Sequence, residues 1–283
     1  MSAPQISKNK SIIDFVFSYF LPMPQGIYFV GWSPRHVKIM EDAFMKYLGL
    51  DVAIVNDRKY SFARLEFRNK ETKSDSTMVD NLCAEKTYSE DLAERWIHAI
   101  EKCSVIVNAL PDDDNTCVRA AFEIQNCVAI DMHDIDSMKT PEGIFFESMN
   151  LFWVVTHEVI SHAISKYGHG QNYKAYDLST YSYKNDAALQ QLNSWRLDMN
   201  LPTRLQHPPQ IDGNTFTYAF IDYGTAENFD RKKRAEEEAK IRDSEDKSRY
   251  VYVQYVDDDS GKPGRYDQLH RRCMESMHTT RKS

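Results

Sequence analysis

The sequence predicts an α/β fold in which a mainly parallel sheet is flanked by helices, in the Rossmann-like or flavodoxin-like manner. Between residues 26 and 168, short apolar runs typical of buried strands alternate with segments of helical periodicity. Strands that alternate with helices in this order pair in parallel around crossover helices. The chain has 283 residues and a hydrophobic fraction of 42%, which is enough for a buried core of this kind.

The first strand and helix have clear boundaries in the sequence. Residues 26–31 (GIYFVG) form a short apolar run between glycines, which is typical of a buried strand. Ser33 is a good N-cap with Pro34 at the first helical position, and apolar residues then recur at helical spacing as far as Gly49. A second strand is expected at Asp51–Val55.

The elements that follow complete the predicted sheet. The polar stretch after the second strand contains one strand-like pattern, at Phe62–Phe67. A helix entered through Ser89 leads to the clearest buried-strand pattern of the chain, Ser104–Leu110, after which an acidic loop begins. We expect a helix near Cys117–Asn126 and a further strand at Val128–Asp131.

The pattern divides the chain into three parts. We expect an N-terminal helical extension over residues 1–25, an α/β domain over residues 26–170 and a C-terminal α+β extension over residues 171–283. Within the C-terminal extension, residues 225–247 are highly charged, as in a solvated helix. Residues 249–256 alternate between polar and apolar types, which predicts a strand.

Charge and cysteine content restrict the classes of partner and the compartment. The chain has 35 Lys and Arg against 42 Asp and Glu, a net charge of −7 that disfavours nonspecific binding to nucleic acids or membrane surfaces. Its five cysteines form no CxxC pair, which favours free thiols in a reducing compartment. The apolar residues 11–24 are interrupted by Asp14 and lack a small-residue cleavage site, so an amphipathic helix is expected there rather than a signal peptide. The sequence therefore predicts a cytoplasmic protein without a membrane or nucleic-acid partner.

Four motifs follow one another within residues 26–168. They are IYFVGW at residues 27–32, AIEKCSVIVNALPDDD at 99–114, AAFEIQN at 120–126 and NLFW at 150–153. Their order and spacing resemble those of the nucleoside 2-deoxyribosyltransferase family. The resemblance implies an enzyme that cleaves the N-glycosidic bond of a 2′-deoxynucleoside through a covalent glutamyl-deoxyribose intermediate and transfers the sugar to another base. It also implies a nucleoside or nucleotide substrate, a homo-oligomer, and a site without a metal or other cofactor.

The resemblance assigns roles to individual residues. Glu123 corresponds to the family nucleophile, a carboxylate that captures the cationic, oxocarbenium-like sugar. Asp114 corresponds to the group that donates or relays a proton to the leaving base, with Asp112 and Asp113 as substitutes or substrate contacts. By the same resemblance, Tyr28 would orient the nucleophile, Trp32 would stack on the base and Asn150 would contact the sugar hydroxyls.

The chain departs from the family pattern at several positions. Residues 119–121 (RAA) replace the glycines that precede the catalytic glutamate, and the family's helix aspartate falls near Arg95 or Trp96. Family chains end soon after this domain, whereas this chain continues through residues 171–283. Two alternatives therefore stay open: an N-glycosidase that uses water as the acceptor, and a non-catalytic assembly or binding protein.

A separate motif, His157-Glu-Val-Ile-Ser-His162, offers a third alternative, a zinc hydrolase. The zincin motif HExxH places both imidazoles one turn apart on one helix face. The longer spacing here rotates the second histidine away by about 100° more on an ideal α-helix. An HExxxH variant occurs in one dipeptidyl-peptidase family, where it needs a distorted helix. We therefore expect no metal at this motif, and an amphipathic helix that buries Val154, Val159, Ile160 and Ile164.

Overall fold

The computed structural model describes residues 25–57, 62–68, 88–110, 121–124, 126–140, 151–170, 178–223, 229–244 and 246–256. Its α-helices are α1 (Pro34–Leu48), α2 (Glu90–Lys102), α3 (Met132–Ser137), α4 (Leu151–Thr156), α5 (Ala187–Asp198) and α6 (Arg231–Ser244). A π-helical segment at His157–Ile164 follows α4, and short 3₁₀ helices lie at Tyr183–Asn185 and Lys247–Arg249. The strands are β1 (Gly26–Val30), β2 (Val52–Asp57), β3 (Phe62–Phe67), β4 (Ser104–Leu110), β5 (Ala121–Ile124), β6 (Cys127–Asp131), β7 (Thr203–Arg204), β8 (Gln210–Asp212), β9 (Thr215–Ile221) and β10 (Tyr250–Val256).

The first sheet has the strand order β2-β3-β1-β4-β6-β5. Strands β1, β4 and β6 pair in parallel at its centre. Strand β3 runs antiparallel to both β1 and β2, and β5 runs antiparallel to β6. The α/β prediction is therefore confirmed, with a mixed sheet in which β1, β2, β4 and β6 share one direction. Because β1 leads to β2 on one side and β4 leads to β6 on the other, the chain reverses its course outside the carboxyl ends of β1 and β4.

The predicted boundaries of α1 are confirmed by its caps. The Ser33 hydroxyl accepts a hydrogen bond from the backbone N–H of His36, and Pro34 occupies the first turn. At the other end, Gly49 adopts a left-handed conformation with φ 64°, and its N–H donates to Met45 and Phe44. These caps fix where α1 leaves β1.

The hydrophobic core lies on the sheet face that meets α1, α2, α4 and the π-helical segment. Alternate residues of the three central strands are buried there, namely Ile27, Phe29, Val105, Val107, Val128 and Ile130. Aromatic rings of the helices cover them: the Phe152 ring stacks on Tyr47 with centroids 5.0 Å apart and meets Phe44 edge-on at 5.6 Å. Burial of such aromatic side chains is a major source of stability in a domain of this size.

The described part of the C-terminal extension packs into the same core. Strand β9 pairs with β7, β8 and β10 in a second sheet. Trp195 of α5 and Phe220 of β9 are fully buried in the hydrophobic cluster that includes the first sheet. The charged helix predicted within residues 225–247 appears as α6, which is anchored to β9 through Ile241. The predicted strand at residues 249–256 is confirmed as β10.

One predicted element is wrong. Residues 121–124, which we expected in a helix near Cys117–Asn126, form strand β5 of a hairpin with β6. Asn126 supplies the turn with φ 65°, a left-handed conformation that asparagine tolerates better than most residues. The N-terminal extension through residue 24 and the acidic loop at 111–115 lie outside the described residues. No helix in the described ranges is both long and apolar enough to cross a membrane.

Candidate metal centre

The π-helical segment at His157–Ile164 gives the HExxxH motif a geometry that an α-helix would not. Its backbone bonds join residues five apart, as in the 2.9 Å bond from the Ser165 N–H to the Ile160 carbonyl. Each residue of a π-helix turns through a smaller angle than in an α-helix, so residues five apart return to the same side. The expectation that His157 and His162 point apart is therefore wrong. The predicted inward packing is confirmed for Val154, Val159 and Ile160, which are buried, whereas Ile164 is only partly buried.

Three imidazole rings bring nitrogen atoms close together. The Nε2 atoms of His157 and His162 lie 3.2 Å apart, and those of His162 and His169 lie 3.0 Å apart. All three ligand atoms fall within 4.8 Å of one another. Nitrogens bound to a tetrahedral zinc ion at about 2.0–2.1 Å are separated by about 3.3–3.4 Å, so the distances from His162 Nε2 to the other two nitrogens suit a shared ion.

The hydrogen bonds of His162 and His169 determine which nitrogens carry protons. The Nδ1 of His162 lies 2.8 Å from the Tyr167 carbonyl, and the Nδ1 of His169 lies 2.9 Å from the Asp186 carboxylate. Both partners only accept, so each Nδ1 must carry the proton. When both rings are neutral, their Nε2 atoms are two lone pairs that face each other across 3.0 Å. A cation held by both nitrogens would replace this repulsion with two ligand bonds.

Burial favours the metal-binding, neutral form of two of these histidines. Desolvation lowers the pKa of His157 well below its ordinary value, and the neighbouring histidines add to this effect. Desolvation also lowers the pKa of His169, although its hydrogen bond to Asp186 acts in the opposite direction. Metals bind neutral imidazole, so these shifts favour ligation near neutral pH.

Glu158 supplies a buried carboxyl group that interacts with His162. Its side chain is 7% exposed, and burial raises its pKa to about 7. The interaction with His162 lowers the pKa of Glu158, whereas the neighbouring Glu123 carboxylate raises it further. A carboxyl group that gains and loses a proton near neutral pH suits a general base.

The third histidine is held by a distant part of the chain. Asp186 is fully buried at the N-terminus of α5, where its Oδ1 accepts from the Leu189 N–H at 2.8 Å and from His169. Gly170 has φ 98°, and a Cβ at that position would lie 3.0 Å from the Asn185 carbonyl oxygen. Only glycine therefore allows the loop to approach closely enough to place His169 against Asp186.

A fourth histidine borders the cluster. The His207 ring lies 3.6 Å from the His169 ring and 5.1 Å from the His157 ring, centroid to centroid. Its loop is tied down by Arg204, whose guanidinium donates to the carbonyls of Gln206 and His207. Burial lowers the pKa of His207 well below its ordinary value, so this ring is also neutral.

The structure separates two of the residues that the resemblance assigned to one site. Glu123 pairs in register with Val128 of β6, which faces the helices, and its Oε1 accepts from the Asn126 N–H at 2.8 Å. Tyr28 is fully buried, three strands away, and its hydroxyl donates to the Gln25 carbonyl at 3.4 Å. Side chains alternate between the faces of a strand, so Tyr28 faces away from the side that Glu123 occupies. The expected hydrogen bond between them is therefore not formed.

The other predicted residues are only partly described. Trp32 follows β1 and donates its indole N–H to the Val107 carbonyl at 3.0 Å. The expected acid–base and sugar-contacting residues, Asp112, Asp113, Asp114 and Asn150, lie outside the described residues.

Sequence reasoning missed His169, Asp186 and His207. One available signal was a third histidine, seven residues after His162 and between two glycines. We found no match to this chain among protein-family models, curated proteins or solved structures. The functional argument therefore depends on the geometry of the histidine cluster.

Proposed function

We propose that the protein is a metal-dependent hydrolase in which His157, His162 and His169 hold a zinc-type divalent ion and Glu158 is the general base. The observation that carries this proposal is the convergence of the three Nε2 atoms, two of which belong to rings whose Nδ1 already donates elsewhere. An all-imidazole set suits zinc and the late first-row metals. Three protein ligands leave one coordination position for water, as in catalytic zinc sites.

The chemistry of these side chains suits hydrolysis, for which we propose an acyl group as the substrate class. A zinc ion bound here would lower the pKa of its water to about 7. Glu158, next to His157 in the chain, would take the proton of that water as the oxygen adds to the substrate carbonyl. The same carboxyl group would then return the proton to the leaving amine or alcohol, which completes the cleavage. Asp186 would keep the His169 ring in the orientation and tautomer that ligation needs.

Metal content and activity test the proposal together. Purified protein should contain about one zinc per chain by plasma mass spectrometry, and His162→Ala should lose it. The matched control is His98→Ala, which changes an exposed histidine of α2. A protein that neither retains zinc nor binds added zinc more tightly than His162→Ala would contradict the proposal.

The general base has its own test. Glu158→Gln should retain zinc but lower the hydrolysis of a panel of fluorogenic peptides and esters by about 100-fold or more. Equal activity in Glu158→Gln and wild-type protein, with zinc bound in both, would assign the base elsewhere.

Deoxyribosyl transfer stays a second proposal, supported by the position of Trp32 at the carboxyl end of β1. This proposal predicts that the protein exchanges the base of a 2′-deoxynucleoside for a different free base. The exchange should be insensitive to EDTA and should be lost in Glu123→Ala. Release of free base without exchange would favour the N-glycosidase. Zinc-dependent hydrolysis without either product would contradict both of these glycosidic activities and leave the metal proposal standing.

A further inference from the structure

A second group of reactive side chains lies at the carboxyl edge of the first sheet, away from the histidine cluster. Ser33 is the N-cap of α1, His36 lies in the first turn of that helix, and Asp136 belongs to α3, which follows β6 directly. Strands β1 and β6 run in the same direction, so both connections leave the same edge of the sheet. Ligands of α/β proteins bind at this edge, where the chain reverses its course.

The three side chains form a continuous hydrogen-bonded relay. The Ser33 hydroxyl lies 2.9 Å from the His36 Nδ1, and the His36 Nε2 lies 3.0 Å from the Asp136 Oδ2. An ionised aspartate can only accept, so the Nε2 carries the proton of the neutral ring. The Nδ1 is then a lone pair, and the Ser33 hydroxyl must donate to it.

The helix-capping role of Ser33 is compatible with this relay. Its oxygen accepts from the His36 N–H at 3.2 Å while its proton is directed to the ring. One lone pair of the oxygen is left for attack on a substrate. Helix capping alone requires neither an imidazole nitrogen within hydrogen-bond distance of the Ser33 hydroxyl nor a carboxylate bonded to that imidazole. Both are present here.

The surroundings favour an acyl substrate with an apolar group. The Trp32 indole meets the His36 ring edge-on with centroids 6.4 Å apart, which provides an aromatic wall beside the nucleophile. The guanidinium of Arg35 bonds the same Asp136 oxygen at 2.6 Å and so braces the carboxylate. The Ser33 hydroxyl accepts from the His36 N–H, and the Ser33 backbone carbonyl accepts from the Val37 N–H. Of the first-turn donors, the Arg35 N–H is then the candidate for a developing oxyanion.

We propose that Ser33, His36 and Asp136 form a second, metal-independent site that hydrolyses small esters through an acyl-serine. The Ser33 oxygen bonds to the carbonyl carbon as its proton passes to His36 Nδ1. The bond from that carbon to the leaving alcohol then breaks, and His36 gives the proton to the alcohol. Water repeats the sequence on the acyl-serine, releasing the carboxylic acid and restoring the Ser33 hydroxyl. Ser33 and His36 are the catalytic residues, and Asp136 positions the ring.

A fluorophosphonate probe tests this proposal, because it labels a serine only when the hydroxyl is activated. We expect labelling at Ser33, identified by peptide mass, to be about 100-fold faster than at Ser248. Ser248 is the matched control because it is exposed and its hydroxyl bonds the Asp246 carboxylate at 2.6 Å with no histidine in that hydrogen bond. The labelling should not change when EDTA removes bound metal, which separates this site from the zinc proposal.

Conservative variants distinguish catalysis from capping. Ser33→Asp keeps a good N-cap but removes the nucleophile, so labelling should vanish while the melting temperature changes little. His36→Gln should slow labelling by about 100-fold. Asp136→Asn should lower the maximal labelling rate by about tenfold or more without changing the half-saturating probe concentration. Labelling of Ser33 no faster than that of Ser248, or unchanged in His36→Gln, would overturn the proposal.

Discussion

Replacement of Asp186 by asparagine tests how the third ligand is held. The carboxylate accepts from His169 Nδ1 at 2.9 Å and from the Leu189 N–H at 2.8 Å, and it is fully buried. Asparagine keeps an oxygen for both bonds and preserves a good N-cap for α5, but it removes the negative charge behind the imidazole. Asp186→Asn therefore isolates the electrostatic support of the ligand from the helix cap.

The expected loss is of zinc affinity more than of fold stability. Partners that hydrogen-bond metal-ligating histidines typically contribute 10–100-fold to metal affinity, which is about 1.4–2.8 kcal/mol. The melting temperature of the metal-free protein should change by only a few degrees, because asparagine caps helices about as well as aspartate. Asp186→Ala should lose both the affinity and the cap.

Competition with a chromophoric chelator measures the zinc dissociation constant of each variant. Asp230→Asn is the matched control: the Asp230 carboxylate accepts from the Lys232 and Lys233 N–H groups at 2.9 and 3.2 Å in the first turn of α6. This control should leave zinc affinity unchanged. If Asp186→Asn binds zinc within about twofold of wild type, His169 is not a ligand oriented by Asp186, and the reasoning fails.

Three further predictions follow from single residues. Gly170→Ala should lower the unfolding free energy by about 1–3 kcal/mol and reduce the stabilisation by zinc in thermal melts. The reason is that φ is 98° and the added Cβ would lie 3.0 Å from backbone. Gly168→Ala is the control, because its Cβ would meet nothing within 4 Å and the variant should be tolerated. Zinc at about 100 times its dissociation constant should raise the unfolding free energy by about 2.7 kcal/mol in denaturant titrations, and in Glu158→Gln by a similar amount; no stabilisation by zinc would count against the site. Burial alone would raise the pKa of Asp91, but hydrogen bonds led by that of Arg95 outweigh it and lower the pKa. The stabilising contribution of Asp91 is therefore present above the unfolded pKa of about 3.9 and lost as pH falls through the folded pKa. Asp91→Asn should make the unfolding free energy fall less steeply with decreasing pH in the acid range. An unchanged slope would refute this.

The sequence was sufficient to predict those elements whose boundaries depend only on neighbouring residues. Ser33, Pro34 and Gly49 marked the ends of α1 because capping depends on residues within one turn. The segment around Phe122 was assigned wrongly because its apolar residues fit a helix and a strand equally well. Its conformation is decided by pairing with β6 and by the left-handed turn at Asn126, which are tertiary effects.

The histidine cluster could not be predicted by the same means. Helical spacing of 3.6 residues separates His157 from His162, and the π-helical backbone that reunites them is a departure from that spacing. The link from His169 to Asp186 spans seventeen residues of the chain and depends on close approach at Gly170. Such contacts arise from packing and leave no periodic signal in the sequence.

X-ray absorption spectroscopy at the zinc edge tests the central claim most directly. The spectrum of zinc-loaded protein should show about three nitrogen neighbours at about 2.0–2.1 Å, with the outer-shell scattering of imidazole rings. His162→Ala should lose one of these nitrogens or the metal itself. Sulfur neighbours at about 2.3 Å, or a spectrum that is the same in His162→Ala as in wild type, would contradict a metal centre at His157, His162 and His169.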